Sequence, residues 1–241
     1  MRHTKIICTL GPNFDDKELF LKMAAKDMDV ARFNFSHGDH REHKGRLEML
    51  KEVRKETGRP IAALLDTKGP EIRTGRLKDH KKIELCAGES IVLTTEECEG
   101  TNDRLFINYE GLHEDVGKGQ HILIDDGLID LEVEKVEGDD IDCRIINGGE
   151  LGEQKGVNVP GVKVKLPSLT EKDIDDIRFG VREGFDIIAA SFVRDADCIR
   201  QIRKILEEEG APDMLIIAKI ENQEGVNNID EIIKEADGVM V

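Results

Sequence analysis

The sequence predicts an α/β protein whose parallel strand–helix units are interrupted by a small all-β domain. Three observations lead there. Apolar runs alternate with helical patterns up to Leu65, the hydrophobic period drops from 3.6 to 2 between about Pro70 and Pro167, and the strand–helix rhythm then resumes to Val241.

Taken in order, Lys5 to Leu10 reads as a first strand closed by Gly11-Pro12. Asn13 can cap a helix through Ala25, with Leu19, Phe20, Met23 and Ala24 on one face. Met28 to Phe33 is the second strand and Asn34 to Gly38 its exit loop. Asp39 with Glu42 resembles a capping box for a helix to about Glu56, which carries Leu47, Leu50 and Val53 and stops at Gly58. Ile61 to Leu65 is the third strand, running into Asp66, Thr67 and Lys68 before Gly69-Pro70 turns the chain away. In the next segment Ile129, Leu131 and Val133 alternate with Asp130, Glu132 and Glu134, and Ile141, Cys143 and Ile145 with Asp140, Asp142 and Arg144. With Val92, Phe106-Ile107 and His121 to Ile124 as further short strands, this is an inserted all-β domain with a barrel as its expected form.

Thr170 then starts a helix with Ile174, Ile177 and Val181 on one stripe and Gly184 as its stop. Strand four is Phe185 to Ala190, and the helix after it carries Ile199, Ile202, Ile205 and Leu206 up to Gly210. Strand five is Leu215 to Ile220, a last helix carries Val226, Ile229, Ile232 and Ile233, and Gly238 to Val241 begins a sixth strand. Six such strands do not complete a barrel, so a truncated chain is expected. The expected division is residues 1–69 and 169–241 in the α/β domain and 70–168 in the insertion.

Among 241 residues, 35 are basic and 51 acidic, a net charge of −16. That balance opposes non-specific contact with nucleic acid or an anionic membrane, so any phosphate contacts are expected to be local. Met1-Arg-His-Thr-Lys5 leads into a strand rather than a signal segment, and no apolar run is long enough to span a bilayer. The five cysteines are widely spaced and odd in number, which fits reduced, mostly buried thiols in a cytoplasmic protein.

The residues that could carry chemistry cluster at strand exits: Arg32, Asn34, Ser36 and His37 after strand two, Asp66 to Lys68 after three, Ser191 to Arg194 after four, Lys219 and Glu221 after five. In a parallel barrel these exits share one rim. Lys219 and Glu221, at i and i+2, share a face. The carboxylate suits Mg²⁺, and the lysine could stabilise a migrating phosphoryl group or an enolate; a plain strand-end ion pair would use the same two residues. Asn34, Ser36, Asp66 and Thr67 offer hard oxygens to an alkali or alkaline-earth cation, and ordinary turn and capping chemistry is the alternative use. His37, His40 and His43 surround a helix start, where His40 and His43 are expected on a solvated face rather than on a metal. Gly111 to Lys118 departs from a phosphate-binding loop in its glycine spacing, and Gly119 stands where Ser or Thr is needed.

At these residues the chain resembles the pyruvate kinase family. The stretches that carry the resemblance are Thr4–Pro12, Asp29–Gly38, Leu64–Thr74, Leu123–Gly127, Lys155–Gly161, Ala189–Arg194 and Ile217–Gly225, in family order along the whole chain. The resemblance implies a (β/α)₈ TIM-type barrel, here ending in its sixth strand, with a mobile all-β lid inserted after strand three. It implies a phosphotransferase of glycolysis that converts phosphoenolpyruvate and ADP to pyruvate and ATP with Mg²⁺ (or Mn²⁺) and K⁺. By position, Arg32 would contact the phosphoryl group and Lys219 would stabilise it in transfer. Glu221 would bind Mg²⁺, and Asn34, Ser36, Asp66 and Thr67 would bind K⁺. Asn34 to His37 would border the nucleotide, whose phosphates Arg73 and Lys155 would reach, and Glu71 belongs to the K⁺-dependent pattern. Asp29, Phe33, Asn13-Phe14 and Gln154 depart from the usual family residues without removing an assigned one. The family's Ala-Arg-Gly-Asp segment, with a second Mg²⁺ carboxylate, and its C-terminal domain lie outside these residues. The 241 residues alone are therefore expected to be inactive, and the full-length parent is expected to be a homotetramer. Two other readings stand beside this one: a non-catalytic fragment that binds nucleotide or phosphate, and another Mg²⁺-enolate barrel enzyme such as a pyruvate-releasing aldolase.

Overall fold

Short aliphatic runs separated by amphipathic stretches set the order of elements in the computed structural model, which describes residues 3–11 and 16–241. The chain opens with β1 (Ile7–Leu10), α1 (Lys17–Ala25), β2 (Val30–Asn34), α2 (His40–Thr57) and β3 (Ala62–Asp66). There follow β4 (Ile72–Arg73), β5 (Ile83–Leu85), β6 (Ser90–Thr94), β7 (Arg104–Phe106), the single-turn α3 (Leu112–Asp115) and β8 (His121–Ile124). The long hairpin β9 (Ile129–Glu137) and β10 (Asp140–Asn147) leads to β11 (Gly149–Leu151) and β12 (Gly156–Asn158). The chain then runs through α4 (Glu171–Glu183), β13 (Ile187–Ala190), α5 (Ala196–Glu208), β14 (Leu215–Lys219), α6 (Gln223–Asn227), α7 (Ile229–Glu235) and β15 (Gly238–Met240). Two compact units result: residues 1–70, 167–221 and 225–241 in one, residues 71–166 and 222–224 in the other.

The first unit is an α/β fold. Its six strands lie in the order β1-β2-β3-β13-β14-β15, and each neighbouring pair is parallel. Side chains alternate across each strand, and the sequence uses both faces differently. Ala31, Phe33, Leu65, Ile188, Ile216 and Ala218 join Phe20, Leu47, Leu50, Val53, Ile199 and Ile202 in a core beneath the helices. Each buried Leu, Ile, Val or Phe among them contributes about 1.5–3 kcal/mol. The other face begins with a small apolar cluster of Val30, Leu64 and Ala189, packed by Ile217 and Met240. Continuing by twos along those same strands gives Arg32 and Asn34, Asp66, and Lys219. The chemistry-bearing residues thus occupy the face that the helices leave, at the carboxyl ends.

Helix ends follow their capping residues. Asp39 accepts from the Glu42 amide and Gly58 closes α2 in the left-handed region. Thr170 and Asp173 form a reciprocal capping box on α4, which Gly184 ends. Gly180 is needed for another reason: a Cβ there would sit 2.6 Å from Leu65 Cδ1, so glycine lets α4 lie close on β3. Asn13 lies outside the described residues, and the cap of α1 is Asp16, whose side chain accepts from the Glu18 amide.

The second unit holds a seven-stranded sheet in the order β4-β12-β8-β9-β10-β6-β7 and a separate β11–β5 pair. Its pairs are antiparallel except β6 with β7, and an antiparallel bridge from Thr74 to Ile107 ties residues next to β4 and β7. Ile129, Leu131, Val133, Ile141, Cys143 and Ile145 are all buried in its core, the half of the period-2 pattern that faces inward. The unit also contains helical turns, α3 and a 3₁₀ turn at Lys78–His80, that the alternation did not predict.

Three expectations need correction. The last helix is broken at Asn228, whose side chain donates to the Arg194 carbonyl, and of its predicted stripe Ile232 is fully buried while Val226 and Ile233 are exposed. The cysteines are free but not mostly buried: Cys143 and Cys198 are buried, Cys8 and Cys98 half-buried, Cys86 exposed. Burial pushes the Cys143 and Cys198 thiols up to about 12, so neither is a thiolate at neutral pH.

The third correction concerns His43, which is buried rather than solvated, while His40 is half-buried. His43 is 3% exposed and its ring stacks on Phe35 at 4.0 Å. His40 stacks on Phe179 at 4.1 Å. Burial lowers the His43 pKa, because charging the ring would strand a cation in an apolar setting. The folded state therefore binds fewer protons than the unfolded chain below the ordinary histidine value of about 6.5. Stability from this residue is complete above that pH and is lost as pH falls through it towards the lower folded value. Urea midpoints measured from about pH 7.5 down to about pH 5 should decline, and His43→Phe should flatten the decline. A parallel fall in both proteins would assign it to other groups.

Candidate active site

Asp66 ends β3 and is 1% exposed, so its charge requires partners on the same face. The parallel register sets Asn34 beside it on β2 and Ala189 beside it on β13. Arg32 donates from Nε to Asp66 Oδ2 at 2.6 Å, and its Nη2 contacts the same oxygen. Arg32 Nη1 also donates to Thr9 Oγ1 at 2.8 Å, which ties β1 to the cluster. From the far side of β13, Lys219 Nζ lies 3.1 Å from Asp66 Oδ1 and donates to Ser191 Oγ at 2.8 Å. The same ammonium is 3.2 Å from Glu221 Oε1. Two cations thus share one buried carboxylate, and one of them also meets a second carboxylate.

Ser191, one of the strand-exit residues but given no role by the sequence, is the joint of this arrangement. It is buried, accepts from Lys219 and donates to the Thr67 carbonyl at 2.6 Å, while its amide donates to Thr67 Oγ1 at 3.1 Å. Gly69 permits this packing: its φ is +72°, and a Cβ there would lie 2.9 Å from the Ser191 backbone carbonyl. Phe192 follows with φ +56°, a left-handed backbone that costs an L side chain roughly 1 kcal/mol or more. That backbone directs its N–H to Glu221 Oε2 at 3.0 Å, so both Glu221 oxygens have partners. A serine at a strand exit carries little sequence signal; its position two residues beyond Ala189, in register with Lys219, was the available clue.

Asn34 Oδ1 accepts from the Ser36 amide at 3.0 Å, which closes an Asx turn, and His37 is exposed beyond it. The Phe35 amide donates to the Asp66 carbonyl at 2.9 Å, holding this turn against the end of β3. Arg73 and Lys155 belong to the second unit, on neighbouring β4 and the edge of β12. Arg73 pairs with Glu71 at 2.7 Å, which raises its pKa further, and donates to the Gln154 carbonyl. Lys155 Nζ is 2.9 Å from Asp125 Oδ1.

The donor set bears on metals. Among the described residues no group of three or more His, Cys, Asp and Glu side chains could enclose an ion. Glu221, 31% exposed on its side chain, offers one hard carboxylate, which matches the one or two that Mg²⁺ takes while keeping water and substrate oxygens. Asp66 is shared by Arg32 and Lys219, but each carboxylate oxygen can accept more than one partner, so a monovalent cation could join it.

The family model described as pyruvate kinase, barrel domain, matches residues 1–241. Proteins named pyruvate kinase from Staphylococcus epidermidis, Staphylococcus aureus and Staphylococcus saprophyticus are each 50% identical over 243 aligned residues. Each match covers all of this chain and 41% of the relative, so the chain spans less than half the length of those proteins.

Proposed function

This chain belongs to the pyruvate kinase family, and we propose that it is the barrel-domain portion of a phosphotransferase acting between phosphoenolpyruvate and ADP. On this reading the first unit is part of a (β/α)₈ barrel and residues 71–166 are its inserted lid. The observation that carries the reading is the Arg32–Asp66–Lys219–Glu221 chain of contacts at the carboxyl ends of β2, β3 and β14.

Phosphoryl transfer asks a protein for position and for positive charge where oxygens crowd. Arg32 and Lys219, held on opposite oxygens of Asp66, supply two such charges. Arg32 would grip the phosphoryl oxygens of phosphoenolpyruvate, and Lys219 would stay with the group as its bond to the enolate oxygen breaks and the bond to the ADP oxygen forms. Proton addition to the enolate carbon then gives pyruvate. Glu221 would hold Mg²⁺, which when bound neutralises phosphate charge. Asn34, Ser36, Asp66 and Thr67 would hold K⁺, with Asn34 to His37 beside the nucleotide and Arg73 and Lys155 reaching its phosphates. A cytoplasmic location and a homotetrameric parent belong to the same reading.

The test is pyruvate release from phosphoenolpyruvate by the intact, gene-encoded protein. Release should require ADP and Mg²⁺, should fall sharply when Na⁺ replaces K⁺, and should be lost by about a hundredfold or more in Glu221→Gln. Equal rates in K⁺ and Na⁺ would overturn the monovalent site, and release without ADP, with the phosphoryl group passing to water as inorganic phosphate, would overturn transfer to ADP in favour of hydrolysis.

A further inference from the structure

Behind the Asn34–His37 turn lies a polar relay, built on a buried carboxylate, that the reaction as proposed does not use. Asp176, on α4, is 1% exposed on its side chain. Its Oδ1 is 2.7 Å from His40 Nε2 and its Oδ2 accepts from Lys172 Nζ at 2.5 Å. The Lys172 ammonium also donates to the Phe35 carbonyl at 3.1 Å. Two residues on, the His37 carbonyl accepts from His43 Nε2 at 2.9 Å, which fixes the proton of that buried ring on Nε2. Alternate carbonyls of the turn are therefore each gripped from the helices, one by α4 and one by α2.

Peptide planarity gives these grips a consequence. In a trans peptide the carbonyl of one residue and the N–H of the next point in opposite directions. Fixing the Phe35 carbonyl towards Lys172 aims the Ser36 N–H the other way, and that N–H is the one bonded to Asn34 Oδ1. The orientation of the Asn34 amide, and with it the disposition of the oxygens on the turn, is thus coupled to a lysine on a different helix. Asp176 holds that lysine in place, and His40, stacked on Phe179, holds the carboxylate from its other oxygen.

We propose that Lys172, positioned by Asp176 and His40, is a positioning residue that sets the Asn34–His37 turn for cation and nucleotide binding. The inference rests on the preceding reading for what the turn binds, and it adds residues that touch neither ligand. It predicts a binding defect rather than a chemical one.

The experiment uses the intact protein with Lys172→Met. Amide hydrogen exchange across residues 35–38 should quicken by about tenfold. The K⁺ concentration for half-maximal activity should rise about fivefold, while kcat at saturating K⁺ stays within about twofold of the unsubstituted value. K⁺ affinity read directly by thallium-205 NMR competition should fall in parallel. Lys44→Met, which removes an exposed 2.7 Å pair to Glu183 between the same two helices, should change none of these. Should Lys172→Met fail to fold because Asp176 is left buried with one partner, the double variant Lys172→Met with Asp176→Asn removes that charge and is expected to show the same changes. Unchanged exchange, unchanged K⁺ affinity, or an equal effect from Lys44→Met would overturn the proposal. An unsubstituted protein with no K⁺ response is a different failure, of the cation assignment itself, and shows before any variant is made.

Discussion

Lys219→Met in the intact protein is expected to lower kcat for phosphoryl transfer from phosphoenolpyruvate to ADP by about a thousandfold, the scale on which a preorganised positive charge acts on a transferring phosphoryl group. Folding should survive, because Asp66 keeps Arg32 on one oxygen and Ser191 Oγ lies 3.2 Å from the other. The informative comparison is therefore kcat against the urea midpoint: the first collapses and the second moves little. Substrate affinity should change less than turnover, since Arg32 still offers its charge. A variant retaining a tenth or more of the parent's kcat would remove Lys219 from the transfer step.

The opposite balance is expected for Asp66→Ala. Here the carboxylate that both cations share is removed, and Arg32 and Lys219 are left on one partly enclosed face with their mutual repulsion uncompensated. Removing one partner of a buried charge set typically costs about 3–5 kcal/mol, a large part of the roughly 5–15 kcal/mol that holds a domain folded. The urea midpoint should fall accordingly. Adding Lys219→Met to Asp66→Ala should recover part of the loss, because the second change removes one of the two stranded charges. Simple additivity in that cycle would mean that the 3.1 Å contact between Lys219 and Asp66 carries little energy.

The strands of the first unit were legible because their apolar runs are short and end in polar residues, and each described strand lies within a residue or two of its expected limits. The gathering of Arg32, Asp66, Lys219 and Glu221 followed from the same pattern, since parallel strands deliver their carboxyl ends to one side and alternate residues to one face. Ser191 stood among the strand exits without a role because nothing local distinguishes it; only the register of β13 with β14 gives it Lys219 as a neighbour. His43 was misread although its spacing carried the signal: it precedes Leu47 by one helical step and belongs to the buried stripe with Leu47 and Leu50. The interruption of the last helix at Asn228 depended on a tertiary bond to Arg194, which no local pattern encodes.

Phe192 puts two demands on one residue in conflict. Glycine or asparagine would adopt its φ of +56° with less strain, so a screen for heat resistance alone would favour replacing it. The same twist aims the amide that steadies Glu221, and a looser residue would let that amide wander. Variants selected only for hardiness should therefore accumulate changes at this position at the expense of a well-placed carboxylate, a bias that a directed-evolution campaign could expose by sequencing survivors with and without selection for turnover.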